Sequence, residues 1–224
     1  MKPIRRVWVT RAEPGATRTA DRLTALGFAP VVSPLLAIRP IPQAAPDLDG
    51  VTALAFTSRN GVAAFSALTG ERRLPVFTVG DATAEAALAA GFSSVRSAAG
   101  ALGDLASLLA AEASGPVLAP GALEPSGDLP ALLAGRVEIR ALPVYRAVET
   151  GAAAPAAFDA VLIHSPRGGR AVAALGRFAG QVAVAISEAA AAPLTATPGL
   201  AIRIAAHPDE AALFEALGKP APRV

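Results

Sequence analysis

Cysteine is missing from the 224-residue sequence, and histidine occurs only at His164 and His207. Without cysteine the chain has no disulfide, no thiolate nucleophile and no cysteine-ligated metal site. Two histidines far apart in the sequence are too few for a histidine-rich metal site. We therefore expect no metal site, and the absence of cysteine predicts a cytoplasmic protein.

Long apolar runs and a strong net charge are also missing. Every apolar run meets glycine, proline or a charged residue well before the roughly 18 residues that a membrane span needs. The first run, Val7-Trp8-Val9, stops at Thr10-Arg11, which predicts no secretion signal. The net charge is only +2, with 20 basic residues dispersed among 18 acidic ones, so we expect neither a membrane nor a nucleic acid as partner.

The common cofactor and hydrolase signatures do not occur. No Gly-x-Gly-x-x-Gly follows an apolar run, no phosphate-binding Gly-Lys-Ser/Thr is present, and no Gly-x-Ser-x-Gly elbow is found. His164 beside Ser165 does not predict a catalytic triad, because adjacent residues on a strand point to opposite faces and no acid is placed by spacing.

The sequence is instead rich in short apolar segments that alternate with amphipathic ones. Hydrophobic residues make up 53% of the chain but aromatic residues only 4%, as in helices packed on sheets of branched residues. This alternation predicts an α/β protein with parallel sheets. The predicted strand and helix pairs are Val7–Thr10 with Pro14–Leu26 and a further strand Ala29–Ser33, Ala53–Thr57 with Arg59–Leu68, Val76–Val79 with Ala82–Ala90, Val117–Ala119 with Ser126–Ala134, Val161–His164 with Arg167–Phe178, and Val182–Ile186 with Glu188–Ala196.

An internal repeat indicates how these elements group. Phe56–Val62 is echoed by Ile163–Gly169, which places Ser58 and Ser165 107 positions apart. The segment that ends at Gly80 is echoed at the same offset by the segment that ends at Ser187. These two echoes predict two copies of one structural plan.

The third echo is out of order. Val9–Leu36 resembles Leu118–Tyr145, so the same unit opens one copy and closes the other. We therefore predict one discontinuous domain of residues 1–37 plus 147–224 and an inserted domain of residues 38–146. Two segments, near Leu36–Pro40 and Val144–Val148, would connect them. The alternative is one continuous sheet with coincidental similarity.

Small polar turns follow the predicted strands and open the next helices. They are Thr57–Gly61, Val79–Thr83 and His164–Gly168. Ligands of parallel sheets bind beyond the carboxyl ends of the strands, and helix N-termini favour anions. Because each predicted domain has such turns at the carboxyl edge of its sheet, we predict a cleft for a large polyanion between the two edges. The alternative is that Ser58 and Ser165 serve only as helix caps.

Tyr145 and two acidic residues each have two interpretations. Tyr145 is the only tyrosine and lies where the second connecting segment begins, so it could reach the cleft or pack between domains. Asp81 and Glu188 occupy corresponding turns, where complementing a helix dipole is favoured over acting as a catalytic pair.

Several of these motifs, in this order and spacing, resemble the uroporphyrinogen-III synthase family over nearly the whole chain. The resemblance implies two flavodoxin-like domains joined by a two-stranded β-ladder hinge. The matching motifs are Val9-Thr10-Arg11 with Glu13-Pro14, Ser33-Pro34-Leu35-Leu36, Phe56-Thr57-Ser58-Arg59-Asn60-Gly61-Val62, Val79-Gly80 with Thr83-Ala84, Val144-Tyr145-Arg146, and Asp159-Ala160-Val161 leading to Ser165-Pro166.

The resemblance also implies a reaction of tetrapyrrole and heme biosynthesis. Hydroxymethylbilane loses water, its terminal pyrrole ring is inverted through a spirocyclic intermediate, and the ring closes as uroporphyrinogen III without a cofactor. Tyr145 would assist departure of the hydroxyl group, and we expect the protein to act as a monomer. The expected substrate-binding residues are Thr10, Ser58, Thr83 and Ser165, with Arg11, Arg59, Asn60, Gly61, Gly80, Pro166, Arg167 and Ser187 beside them.

Three segments depart from the family pattern. The turn Ile186–Ala191 lacks the usual glycine and threonine, His164 stands where threonine is usual, and Pro120–Pro125 lacks an arginine often found there. A non-catalytic homologue that binds a tetrapyrrole or another polyanion is therefore the alternative function. A small-molecule receptor of the periplasmic type is disfavoured because a signal sequence is lacking.

Overall fold

The structure is a computed structural model that describes residues 4–221. Within that range the chain forms eleven strands, eight α-helices and one short 3-10 helix. The strands are β1 Arg6–Val9, β2 Ala29–Val32, β3 Leu36–Pro40, β4 Ala53–Phe56, β5 Val76–Thr78, β6 Val95–Ser97, β7 Val117–Ala122, β8 Ile139–Glu149, β9 Ala160–Ile163, β10 Gln181–Ala185 and β11 Leu200–Ile204. The helices are α1 Gly15–Ala25, α2 Arg59–Leu68, α3 Asp81–Ala89, α4 Leu102–Glu112, α5 Leu129–Leu133, α6 Pro166–Ala173, α7 Glu188–Ala191, the 3-10 helix Ala192–Leu194, and α8 Glu210–Glu215.

The described chain divides into two compact units. Unit 1 comprises the residues up to Ala37 and from Val148 onward, and unit 2 comprises Ile38–Ala147. The chain passes from one unit to the other within β3 and again within β8, two strands that are neighbours in one sheet. Unit 2 is therefore an insertion in the sequence of unit 1.

Unit 1 is built on a parallel sheet with the strand order β11-β10-β9-β1-β2. Its middle strands β10, β9 and β1 are apolar except for Gln181 and Arg6 at the first positions of β10 and β1, as expected for strands covered on both faces. Val7 and Val9 face a cluster that includes Leu23 of α1 and Leu213 of α8. Trp8, between them, faces the opposite cluster with α6 and α7. Because side chains alternate between the two faces of a strand, β1 contributes to the hydrophobic core on each side of the sheet.

Unit 2 has a sheet of order β3-β8-β7-β4-β5-β6, parallel from β8 to β6. Leu54 and Phe56 pack with α2 and α3, and the Phe56 ring lies 5.8 Å from that of Phe65. Ala53 and Ala55 face a second cluster formed largely by α4 and α5. Small residues on that face let these helices lie close to the sheet.

The two sheets confirm the predicted fold class. With β9, β10 and β11 matched to β4, β5 and β6, and with β1 and β2 matched to β7 and β8, the two strand orders agree except that the sheet of unit 2 has β3 as an additional edge strand. The matched strands come last in unit 1 but first in unit 2, which is the permuted repeat inferred from the sequence. The fold is α/β with two parallel-dominated sheets.

Several helices are shorter than their patterns predicted. Helix α6 ends at Ala173 instead of continuing to Phe178, because the chain turns at Gly176, whose φ is +93°. Helix α7 gives way after Ala191 to the 3-10 helix, because Pro193 has no N–H to continue the α-helical ladder. In residues 4–221 no helix has the length and apolar character needed to span a membrane.

Candidate active site

Unit 2 contains a cavity of about 390 Å³ at the carboxyl edge of β4, β7 and β8. This is the edge at which open parallel sheets bind ligands. Its lining residues, all of which are described, include no charged side chain, so apolar groups and a few hydroxyls form the surface. They are Ala55, Thr57, Ser58, Val79, Leu102, Ala119, Pro120, Gly121, Ala122, Leu123, Pro125, Ser126, Gly127, Leu129, Pro130, Ile139, Ala141, Leu142, Pro143 and Tyr145.

Ser58 and Tyr145 meet at this cavity. Ser58 follows β4 in an extended conformation and caps α2, since its Oγ accepts a hydrogen bond of 3.1 Å from the Gly61 N–H. Tyr145 lies on β8, only 8% exposed, with its Oη 2.9 Å from Ser58 Oγ. Either hydroxyl can donate in this pair. The serine therefore caps the helix and also contacts the tyrosine, so the two interpretations of Ser58 are compatible.

The other residues predicted in unit 2 lie outside the cavity lining. Gly61 has a packing role, because a Cβ there would lie 2.7 Å from the Pro120 carbonyl oxygen on β7. Its missing side chain lets α2 approach β7. Thr83 is buried in the first turn of α3, where its N–H donates to the Gly80 carbonyl at 3.0 Å. Arg59 and Asn60 occupy the first two positions of α2.

Unit 1 places its predicted residues at the carboxyl edge of three adjacent strands. Thr10 follows β1, Ser165 follows β9 and Ser187 follows β10. The buried Thr10 hydroxyl donates to the Leu162 carbonyl at 2.8 Å and so fastens β1 to β9.

The two serines of that edge serve as helix caps. Ser165 accepts from the Gly168 N–H at 3.1 Å, and Ser187 accepts from the Ala190 N–H at 3.3 Å. Pro166 occupies the first position of α6, where its lack of an N–H costs nothing, and Arg167 follows it.

Arg11 belongs to a polar cluster around Glu210 in unit 1. Its Nη1 lies 3.2 Å from Glu210 Oε1, and Glu210 also accepts hydrogen bonds from Thr19 and Arg22. Partial burial, the largest single influence, acts to raise the pKa of Glu210, but the nearby His164, the hydrogen bond from Thr19 and the charge of Arg11 together outweigh it and lower the pKa from 4.5 to about 2. This carboxylate joins α8 to α1 and to the end of β1.

His164 completes the cluster as a neutral side chain. Its Nε2 lies 3.6 Å from Glu210 Oε1, which is too long for a hydrogen bond, and both ring nitrogens are buried without a hydrogen-bond partner. Burial, the main influence, lowers the pKa of His164, so the imidazole is uncharged at neutral pH. Among the described residues no group of three or more His, Asp or Glu side chains could hold a metal ion.

Two features of these edges were missed by sequence reasoning. The stretch Pro120–Gly127 forms much of the cavity wall. The feature of the sequence that could have indicated this is the apolar strand β7, which contains proline and glycine near its carboxyl end. Glu210 could not be associated with Arg11, because 199 positions separate them and no local pattern connects them.

Comparison with known protein families assigns this fold. The family model described as Uroporphyrinogen-III synthase HemD matches residues 17–215. The chain belongs to the uroporphyrinogen-III synthase family. The match spans both units and confirms the resemblance found in the sequence.

One solved uroporphyrinogen III synthase shares the fold at low sequence identity. A selenomethionine-labelled mutant of the enzyme from the extreme thermophile Thermus thermophilus aligns with a TM-score of 0.56 and 18% identity, covering 96% of this chain and 90% of that one. A wild-type structure from the same organism gives a TM-score of 0.45 and 19% identity over 95% of each chain. A comparison with curated proteins gave no significant match.

Proposed function

We propose that this protein closes hydroxymethylbilane to uroporphyrinogen III and that Tyr145 donates the proton that the leaving hydroxyl group needs. Family membership supports the reaction. The observation that carries the role of Tyr145 is its hydroxyl group in the wall of an uncharged cavity, 2.9 Å from a second hydroxyl. We further propose that the protein acts in the cytoplasm as a monomer, without a cofactor.

Loss of water requires a proton source close to the hydroxymethyl group. The C–O bond breaks as the pyrrole nitrogen supplies electrons, and the departing oxygen takes up a proton to leave as water. No Asp, Glu, His or Lys lines the cavity, all of whose lining residues are described, so a phenol is the most acidic side chain available there. Tyr145 thus becomes the general acid, a role worth about 10²–10⁴-fold in rate.

The apolar wall of the cavity suits the second step of the reaction, the inversion of the terminal pyrrole ring. Inversion of the terminal ring requires that one pyrrole be held apart from competing orientations, which is a task of positioning. A cavity of about 390 Å³ with few polar groups fits a ring face, while the carboxylates of the substrate bind at the strand and helix ends. We assign this binding to Ser165 and Ser187 in unit 1 and to Thr83 in unit 2, with their neighbouring backbone N–H groups, whereas the Thr10 hydroxyl, which donates its one proton to the Leu162 carbonyl, positions the edge of β1.

An isomer-resolved product assay tests the proposal. Hydroxymethylbilane left alone closes to the type I isomer, so a type III product requires a protein that orients the terminal ring. Freshly generated bilane incubated with the protein in chelator-treated buffer should give mainly type III, and Tyr145→Phe should lower its rate by about 100-fold or more while the protein remains folded.

Two outcomes would contradict this assignment. Type I product alone, with the porphyrinogen still bound, would support the non-catalytic homologue, which the family match does not favour. An unchanged type III rate in Tyr145→Phe would leave the reaction assigned but remove the tyrosine from it.

A further inference from the structure

We infer that Ser58 is a positioning residue for Tyr145, linking the tyrosine hydroxyl to the N-terminus of α2. The inference rests on the proposed function, because it assumes that Tyr145 donates the proton. Its basis is a continuous set of contacts: the Gly61 N–H donates to Ser58 Oγ at 3.1 Å, and Ser58 Oγ lies 2.9 Å from Tyr145 Oη.

These contacts favour one donor in the hydrogen bond between Ser58 and Tyr145 during the reaction. A serine hydroxyl has a single proton to donate, and its oxygen already accepts from the first turn of α2. When Ser58 donates to Tyr145 Oη, the tyrosine proton is left free to point toward the substrate. In the opposite arrangement Tyr145 donates to Ser58, and its proton is not available for the leaving group.

The same arrangement stabilises the tyrosine after it has given up its proton. The phenolate would accept a charge-assisted hydrogen bond from Ser58, about twice as strong as a neutral one. Ser58 in turn is polarised by the N-terminus of the ten-residue helix α2, whose dipole favours negative charge at that end. Tyr145 is only 8% exposed, so water competes weakly for this position.

Helix capping alone would explain the Gly61 contact but not the contact with Tyr145. The two roles can be separated by substitution, because glycine is almost as good as serine at a helix N-cap, whereas alanine is a poor N-cap residue. Ser58→Gly therefore removes the hydroxyl and largely keeps the cap, while Ser58→Ala removes both. Ser58→Thr retains both, since the extended backbone at position 58 accepts a branched residue.

The test compares type III rates of these variants in the wild-type and the Tyr145→Phe backgrounds. We expect Ser58→Gly and Ser58→Ala to lower kcat equally, by about 10- to 100-fold as for loss of one hydrogen bond to a charged group, with KM little changed. Thermal stability should fall more in Ser58→Ala, and Ser58→Thr should restore kcat. In the Tyr145→Phe background the further loss on Ser58→Gly should be less than about 2-fold, since the partner is already gone.

The outcomes distinguish the two proposals. If Tyr145→Phe is slow but Ser58→Gly has the wild-type kcat, or if the two losses multiply, the positioning role is wrong and the function of Tyr145 stands. If Ser58→Ala is slow and Ser58→Gly is not, the serine acts only as a cap. If Tyr145→Phe has the wild-type rate, both the tyrosine assignment and this inference fail.

Discussion

Replacement of Glu210 by glutamine should destabilise unit 1 at neutral pH and remove part of its acid sensitivity. The carboxylate is tied to Arg11, Arg22 and Thr19, and its side chain is 19% exposed. Glutamine keeps the shape and one acceptor oxygen but loses the charge. The perturbation therefore addresses the ion pairs rather than packing.

The magnitude follows from the pKa of Glu210. A decrease from 4.5 to about 2 corresponds to about 3 kcal/mol between the two protonation states. The Arg22 side chain is 52% exposed, so solvent screens that ion pair, and we expect a loss of about 2 kcal/mol in the free energy of unfolding. For a protein of this size that loss lowers the Tm by roughly 4–8 °C.

The pH dependence has a definite sign. Because the pKa of Glu210 is lower in the folded state, the unfolded state binds a proton more readily, and this stabilisation is complete above about pH 4.5. It decreases as the pH falls from about 4.5 to about 2. The difference in stability between wild type and Glu210→Gln should therefore shrink over that range.

Urea denaturation followed by circular dichroism between pH 7 and pH 3 measures this difference. Glu188→Gln is a matched control, because Glu188 is also the first residue of a helix in unit 1 but is exposed. It should change the free energy of unfolding by less than about 0.5 kcal/mol. Equal stability of Glu210→Gln and wild type at pH 7, or a difference that grows toward pH 3, would refute the reasoning.

Two further predictions concern packing and folding. Gly61→Ala should lower the free energy of unfolding, measured by urea denaturation, by roughly 1–3 kcal/mol, because the new Cβ meets the carbonyl of Pro120. The control Gly103→Ala, with open space and a helical backbone, should raise it by about 0.5–1 kcal/mol. An unchanged free energy of unfolding in Gly61→Ala would contradict the close approach of α2 to β7. A fragment of residues 38–147 should fold alone, as judged by circular dichroism and proteolysis, while residues 148–224 should not, since they lack β1; a folded 148–224 fragment would contradict the proposed domain organisation.

Strong local patterns were readable from the sequence, and weakly buried elements were not. Strands such as β9, with four consecutive buried residues, were predicted because a fully covered parallel strand is apolar at every position. Edge strands β6 and β11 were missed, because their residues are half-buried or exposed and alternate only weakly. The repeat around Ser58 and Ser165 was visible because capping requires a particular residue type at a fixed place.

The candidate site was predictable in its position along the strands but not in its contacts. The sequence indicated that Ser58 follows a strand, yet nothing local indicated that the hydroxyl of Tyr145, 87 positions away, would meet it. Gly61 was interpreted as part of a ligand turn, although its close contact is with the β7 backbone. Such pairings depend on which strands are neighbours, and local sequence does not specify that.

The insertion of unit 2 also has a consequence for the order in which the chain folds. Pairing of β1 with β9 joins Val7 to Ala160, which closes a loop of about 150 residues in an unfolded chain. Once unit 2 has formed, the hydrogen bond from Ile41 N–H to the Val144 carbonyl holds its two ends together, and the effective loop falls to about 50 residues. This shortening lowers the entropic cost of closure by about 1 kcal/mol. During synthesis all of unit 2 also leaves the ribosome before β9, so unit 2 folds first and β1 then pairs with β9 across the shortened loop.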